Sequence, residues 1–177
     1  MYKTKDGRRI LVRRAVPKDV DAAVKLWQAL ADEREYIATE HVSQEQRKRW
    51  IANVKNPEVL WEVARIEGKL VGTLTVGRYG NLEKTQHVRE LGMGVAKEFR
   101  GTGVGTALMD NALKWAKKKG IEKVGLAVFS TNKRAIRLYE RFGFVREGVR
   151  KHPVPNRGHV CGRDSHGTVL VTKYSRL

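Results

Sequence analysis

Seven residues, Arg100-Gly101-Thr102-Gly103-Val104-Gly105-Thr106, carry the clearest chemical signal in the chain. They follow a strand-like run from Val88 to Ala96 and open an apolar-periodic segment that reaches about Lys119. A strand feeding a glycine-rich turn at a helix N-terminus makes a cradle for phosphate oxygens. Glycine permits close backbone approach, the first N–H groups of a helix have no internal partner, and the helix dipole favours negative charge there. Such a turn can also serve packing alone, so the anion has to be identified from its surroundings.

Two common nucleotide signatures do not fit. A P-loop needs Gly-x-x-x-x-Gly-Lys-Ser/Thr, and this turn holds no lysine. A dinucleotide fingerprint needs Gly-x-Gly-x-x-Gly and an acid at the end of the following strand. The spacing here is Gly101-x-Gly103-x-Gly105, and the next strand-like run, Lys123 to Phe129, ends in Val128-Phe129-Ser130. The pattern that is met is Arg/Gln-x-x-Gly-x-Gly/Ala, by Arg100, Gly103 and Gly105. A second motif begins 27 residues after Gly105: Asn132-Lys133-Arg134-Ala135-Ile136-Arg137-Leu138-Tyr139-Glu140-Arg141-Phe142-Gly143-Phe144.

Together these motifs resemble the GNAT superfamily of acetyl-CoA-dependent N-acetyltransferases, over roughly Ile10 to Phe144. The resemblance implies acetyl-CoA as acetyl donor and direct attack by a primary amine within a ternary complex. It implies that pyrophosphate meets main-chain N–H groups across Arg100, Gly101, Thr102, Gly103, Val104, Gly105 and Thr106. The pantetheine arm would pair with Met93, Gly94 and Val95, the Val95 N–H serving as oxyanion donor. Asn132 would hydrogen-bond the cofactor, and Tyr139 would protonate the departing thiolate. Structural roles compete with the last two: Asn is a preferred helix N-cap, and Tyr139 lies on an apolar helix face.

The general base is less determined. One GNAT subgroup, resembling ribosomal-protein Nα-acetyltransferases, carries a Glu five residues before the Asn. Ala127 stands there in this chain. The resemblance makes Glu90 the candidate base, since other GNATs often place a Glu on the strand before the turn that works directly or through water; alternation places Val88, Glu90, Gly92 and Gly94 on one face of that strand. A salt-bridged or solvated Glu90 is the competing reading, and His87, His41, Glu35 and Glu40 are alternatives. The segment Asp32 to His41 is expected to wall the acceptor site, with Glu33, Glu35 and Glu40 attracting a cationic amine. Residues 151–167 depart from the family, with His152, His159, Cys161 and His166 in a Gly-rich loop. Their spacing matches no zinc pattern, and no metal is expected.

The elements that must position these residues read as follows. Arg9 to Arg14 is a strand. Pro17 opens a helix with Val20, Ala23, Val24, Trp27, Leu30 and Ala31 on one face. Ser43 with Gln46 makes a capping box for a helix to about Val54. Trp61 to Ile66, Glu67-Gly68 and Leu70 to Val76 form a hairpin. The helix after the glycine turn faces inward with Val104, Ala107, Leu108, Ala112, Trp115 and Ala116. The one after Asn132 does so with Ala135, Leu138, Tyr139 and Phe142. Phe144 to Val149 and Thr168 to Tyr174 are the last strands. The order β-α-α-β-β-β-α-β-α-β-β predicts a single-domain α/β fold with a mixed sheet, spanning residues 9–177. It matches the GNAT arrangement, in which the fourth and fifth of these strands splay apart.

Composition adds bounds. No apolar run is long enough for a membrane span, and the lone Cys161 fits a reducing cytoplasm. The net charge of +17 is uneven: residues 1–96 carry 18 basic and 13 acidic side chains, residues 97–177 carry 18 and 6. A basic half holding the cofactor turn would speed capture of an anionic cofactor. The surplus also admits a nucleic-acid partner, or simply a charged surface. A non-catalytic acyl-CoA-binding or nucleic-acid-associated module is therefore the competing function. Tyr139 favours an enzyme, because a binding module needs no acid beside a thiolate. A monomer and a homodimer are equally compatible with the sequence.

Overall fold

The computed structural model describes residues 1–36, 41–78, 87–150 and 168–174. Eight strands form one sheet: β1 (Tyr2–Lys3), β2 (Arg9–Arg14), β3 (Leu60–Ile66), β4 (Lys69–Arg78), β5 (Val88–Val95), β6 (Lys123–Phe129), β7 (Val145–Arg150) and β8 (Thr168–Tyr174). Their order across the sheet is β1-β2-β3-β4-β5-β6-β8-β7. Every adjacent pair is antiparallel except β5 and β6. Four α-helices complete the described fold: α1 (Val20–Asp32), α2 (Gln44–Lys55), α3 (Val104–Lys118) and α4 (Lys133–Arg141).

The expected mixed α/β architecture is observed, with one strand more than the sequence pattern predicts. β1 is two residues long and pairs with Arg9 and Ile10, too short to carry a periodicity. The Ser43–Gln46 capping box forms as expected, with Gln46 N–H donating to Ser43 Oγ (3.2 Å) and Ser43 N–H donating to Gln46 Oε1 (2.8 Å).

The helices cover both faces of the sheet. A Cβ on Gly72 of β4 would meet Val104 and Leu108 of α3, whereas one on Gly94 of β5 would meet Leu30 and Trp27 of α1. Gly72 lies opposite Val95, one position along from Gly94, so the two glycines face opposite ways. α1 buries Val20, Ala23, Leu26, Leu30 and Ala31; α3 buries Val104, Ala107, Leu108, Met109, Ala112 and Ala116. Trp27 and Trp115, expected inside, are half-buried, while Leu26 and Met109 go fully in. Bulky rings at the edge of an apolar stripe bury one side only. β3 is buried along nearly its whole length because helices cover it from both sides.

Two buried carboxyls lie within this frame, and they behave oppositely. Asp19, just before α1, is fully buried and accepts from Arg13 Nη1 (2.6 Å) and Nη2 (2.9 Å), Arg65 Nη2 (3.1 Å) and the Val16 N–H (2.8 Å). Burial pushes its pKa up, but these donors, Arg13 foremost, win and hold it at about 2. Asp19 thereby ties the start of α1 to β2 and β3. Glu62 of β3 accepts only from Asn111 Nδ2 of α3 (2.5 Å), and its other oxygen has no hydrogen bond among the described residues. Burial raises its pKa from 4.5 to about 7.

Between pH 4.5 and about 7 the folded chain retains a Glu62 proton that the unfolded chain has released. Stability therefore falls as pH rises through that window, and the loss is complete above it. Glu62→Gln, an isostere of the protonated acid, should raise the thermal midpoint at pH 8, by an amount equivalent to about 1–3 kcal/mol. It should change the midpoint little at pH 5. Thermal unfolding of both proteins at the two pH values checks this; an equal effect at both would contradict it.

Candidate active site

The site begins where the one parallel pairing stops. β5 and β6 are in register at Val88–Lys123, Arg89–Val124 and Glu90–Gly125, and no further. Beyond that point β5 stays paired with β4 as far as Val95, and β6 stays paired with β8 as far as Phe129. The two strands diverge, as the sequence reading expects of its fourth and fifth strands, and their facing edges are left without each other. The Ala96 N–H donates to the Val71 carbonyl (2.9 Å). Because antiparallel bonding alternates, the N–H groups of Val95 and Met93 face away from β4, toward the open edge.

The glycine turn closes the wide end of this opening. Gly101 (φ +79°) and Gly103 (φ +111°) adopt the left-handed region. At Gly103 a Cβ would also stand 3.4 Å from the Lys3 carbonyl. The Lys5 N–H holds the Thr102 carbonyl (3.1 Å), and Thr102 Oγ1 donates to the Phe99 carbonyl (2.8 Å), so the turn is fastened from behind. The Arg100 N–H is already bonded to the Lys97 carbonyl (3.3 Å), and the Ala107 N–H bonds the Gly103 carbonyl (3.0 Å). Between them, the main-chain N–H groups from Gly101 to Thr106 have no acceptor among the described residues. These six donors, at the positive end of the α3 dipole, are what a diphosphate requires.

A cleft of about 1000 Å³ joins the open edge to the turn. Met93, Gly94, Val95, Arg100, Gly101, Gly103, Gly105, Thr106, Asn132 and Tyr139 all line it, so most of the sequence candidates converge. Thr102 and Val104 do not line it, Val104 being packed in the core. Glu90 does not line it either. It is exposed at the narrow end of the divergence, on the strand face that carries Gly92 and Gly94. His41 and His87 are exposed and outside the cleft, while Glu33, Glu35 and Tyr36 line it. Glu40 and residues 151–167, with His152, His159, Cys161 and His166, lie outside the described residues. Among the described residues no cluster of His, Cys, Asp or Glu is arranged to hold a metal ion. No helix among them is long and apolar enough to cross a membrane.

Three side chains that line the cleft have distinct surroundings. Tyr139 is buried, its ring packed against Phe144 at 5.8 Å, and burial pushes its pKa up to about 12. The phenol therefore keeps its proton at any physiological pH. Asn132 caps α4, its Oδ1 accepting from the Ala135 N–H (3.1 Å), so the structural role is filled while the residue still lines the cleft. Arg100 does something the sequence did not signal. Its Nη1 and Nη2 engage Glu33 of the α1 C-terminus (2.8 and 2.9 Å), and its Nε donates to the Val95 carbonyl (3.2 Å). The guanidinium thus joins the C-terminal end of α1 to the end of β5. Glu33 and Arg100 are far apart in sequence, and no local pattern links them. Cations from α4 (Lys133, Arg134, Arg137 and Arg141), together with Lys5 and Lys97, complete the lining.

Residues 23–144 match the acetyltransferase (GNAT) family model, well over half the chain. The chain belongs to the GNAT family. This GNAT protein is 30% identical over 151 residues to an N-alpha-acetyltransferase of Sulfurisphaera tokodaii, covering 84% of this chain and 87% of that one. It is 29% identical over 147 residues to the L-amino acid N-acetyltransferase AaaT of Escherichia coli, covering 80% and 86%. Its fold is similar to that of yncA of Salmonella typhimurium, determined with its cofactor acetyl-CoA, at a TM-score of 0.82, 18% identity and 94% coverage of both chains. The GNAT chain is an N-acetyltransferase, not a non-catalytic binding module.

The Arg100–Glu33 clamp makes a specific prediction. Arg100→Gln and Glu33→Gln should each cost about 1–3 kcal/mol of stability, because each strands a largely buried charge. The double variant should cost less than their sum. Chemical denaturation of the four proteins measures the coupling. Acetyl-CoA titrations of the same set separate clamp from phosphate ligand. A clamp predicts parallel effects of the two single substitutions; a direct phosphate contact predicts weakening by Arg100→Gln alone.

Proposed function

We propose that this N-acetyltransferase uses acetyl-CoA as donor and transfers the acetyl group by direct attack of an α-amino group, that of an amino acid or a peptide N-terminus. The observation that carries the donor is the run of unpartnered main-chain N–H groups from Gly101 to Thr106, of which those of Gly101, Gly103, Gly105 and Thr106 belong to residues that line one cleft with the open edge of β5. Acetyl-CoA supplies an activated thioester when bound. Gly101 to Thr106 would hold its diphosphate, and the amides of Met93 and Val95 would pair with its amide-bearing arm. The Val95 N–H would be the donor to the developing oxyanion. Tyr139, kept protonated by burial, would hold the proton that the departing sulfur needs.

Two considerations support an α-amine. The relatives named above are an N-alpha-acetyltransferase and an L-amino acid N-acetyltransferase. The chemistry agrees for a peptide N-terminus: its α-amine has a pKa near ~8, against about 10.4 for a lysine side chain, so it needs only weak base assistance. The carboxylates lining the cleft are Glu33, engaged by Arg100, and Glu35. Glu90 stands outside it and would act through water. Glu35 and Tyr36, on the segment that follows α1, would face the incoming ammonium group.

The test is thiol release from acetyl-CoA against amino acids, peptides with free N-termini, and Nα-blocked lysine peptides. Free α-amines should be acetylated and blocked peptides should not. With peptide acceptors the rate should rise with pH through about 8 as the amine deprotonates. Tyr139→Phe should lower kcat by roughly 100-fold with little change in the dissociation constant of acetyl-CoA. Glu90→Gln should lower the rate and shift the rising limb of the pH profile; a full rate with an unmoved profile removes Glu90 as the base. Preferential acetylation of blocked lysine peptides would overturn the α-amine reading.

A further inference from the structure

Residues 1–8 bury no apolar side chain, the first in the chain to be buried being Ile10, and β1 pairs with β2 at only two positions. The hairpin they form is nevertheless applied to the glycine turn and its helix from outside. Tyr2 donates its hydroxyl to Asp110 Oδ2 of α3. The Lys3 carbonyl lies 3.4 Å from where a Cβ on Gly103 would stand, and the Lys5 N–H donates to the Thr102 carbonyl (3.1 Å). The Arg8 guanidinium sits 5.4 Å from the centre of the Phe99 ring, and the Phe99 carbonyl accepts from Thr102 Oγ1. The hairpin's own turn is fixed: the Gly7 N–H donates to the Thr4 carbonyl (3.0 Å), and the Thr4 N–H to the Arg8 carbonyl (2.8 Å). Thr4 to Gly7 is thus a β-turn with Lys5 at its second position. Neither Lys5 nor Asp6 has a positive φ, as a type I turn requires.

The Lys5 contact orients a main-chain donor of the site. In a trans peptide the C=O and N–H point in opposite directions. With the Thr102 carbonyl turned out to Lys5, the N–H of Gly103 in the same peptide points away from the hairpin. Gly103 lines the cleft, and its N–H has no acceptor among the described residues. Glycine at φ +111° tolerates other orientations of this peptide, and among the described residues no donor but Lys5 holds the Thr102 carbonyl.

We propose that the β1–β2 hairpin positions the donor site: the Lys5 N–H fixes the Thr102–Gly103 peptide and thereby presents the Gly103 N–H to the diphosphate. Lys5 acts here through its main chain, as a positioning residue, and Tyr2 and Arg8 hold the hairpin in place. The assignment rests on the donor reading above. Donor binding and hairpin attachment are then linked, because an acceptor on the Gly103 N–H polarises the peptide and strengthens the bond at its other end. The Lys5 side chain also lines the cleft, so its charge is the competing explanation.

The test uses two full-length variants. Lys5→Pro removes the N–H at a turn position that proline favours; Lys5→Ala removes the side chain and keeps the N–H. Calorimetric titration should show Lys5→Pro binding acetyl-CoA roughly 10-fold more weakly than Lys5→Ala. In thiol-release assays the donor KM should rise by a similar factor, while kcat at saturating substrates changes far less. Matching thermal midpoints verify the fold. Equal affinities in the two variants, or a loss confined to kcat, overturn the assignment. Hydrogen exchange on wild-type protein tests it without any variant: saturating acetyl-CoA should slow exchange of the Lys5 amide, and an unchanged rate overturns the assignment. If wild type does not bind acetyl-CoA at all, the donor reading fails, and this inference with it.

Discussion

The organisation of this chain depends on an interruption: two parallel strands that pair for three residues and then part. A sheet can lose pairing at its centre only if each strand is held from its other side. β4 holds β5 to its end, and β8 holds β6 to its end. The interruption leaves main-chain donors that must find partners elsewhere, because unpaired N–H groups shielded from water are costly. The site is therefore a deficit of hydrogen bonds: Met93 and Val95 along the strand edge, and Gly101 to Thr106 across the turn. In the function proposed here, a ligand rich in acceptors would complete the fold locally, and Tyr139 would add side-chain chemistry at its margin.

Holding that deficit open requires support from several directions. The chain's N-terminal segment, through the Lys5 N–H, fastens the turn from outside. The Arg100–Glu33 pair ties α1 to the end of β5, and Asp19 ties the start of the same helix to β2 and β3. α1 is thus anchored by charge at both ends, while Gly94 lets it lie close against β5. Acids and cations are divided among the walls. Glu33 and Glu35 come from α1 and its exit, and the α4 cations come from beyond β6. A dianionic or more highly charged donor and a cationic amine can therefore approach the same cleft without competing for the same charges.

Much of this was legible in the sequence because it is local. The glycine turn, the Ser43–Gln46 box, the Asn132 cap and the apolar stripes of α1 and α3 are each written within one or two turns of chain. So was the mixed α/β order, since hydrophobic period follows element type. What escaped is non-local or too short to have a period. Asp19, Arg13 and Arg65 meet across three elements. Glu33 meets Arg100 from 67 residues away in sequence. The strand Tyr2–Lys3 has only two residues. Within α4 the inward face was displaced slightly: Ile136 is buried, whereas Ala135, Leu138 and Phe142 are half-buried, Ala135 and Leu138 because they line the open cleft. Glu90 was singled out by the resemblance, and strand alternation adds a face but not a distance from the cleft.

The central claim is that main-chain amides in the Gly101–Thr106 turn, with those of Met93 and Val95, bind the acetyl donor. Amide proton chemical shifts respond directly to a new hydrogen bond. Titrating ¹⁵N-labelled protein with acetyl-CoA should move the resonances of Gly101 to Thr106 downfield, with Met93 and Val95 following, while amides of β2 and β3 stay in place. Binding of acetyl-CoA with these resonances unmoved, and the changes centred elsewhere, would contradict the account.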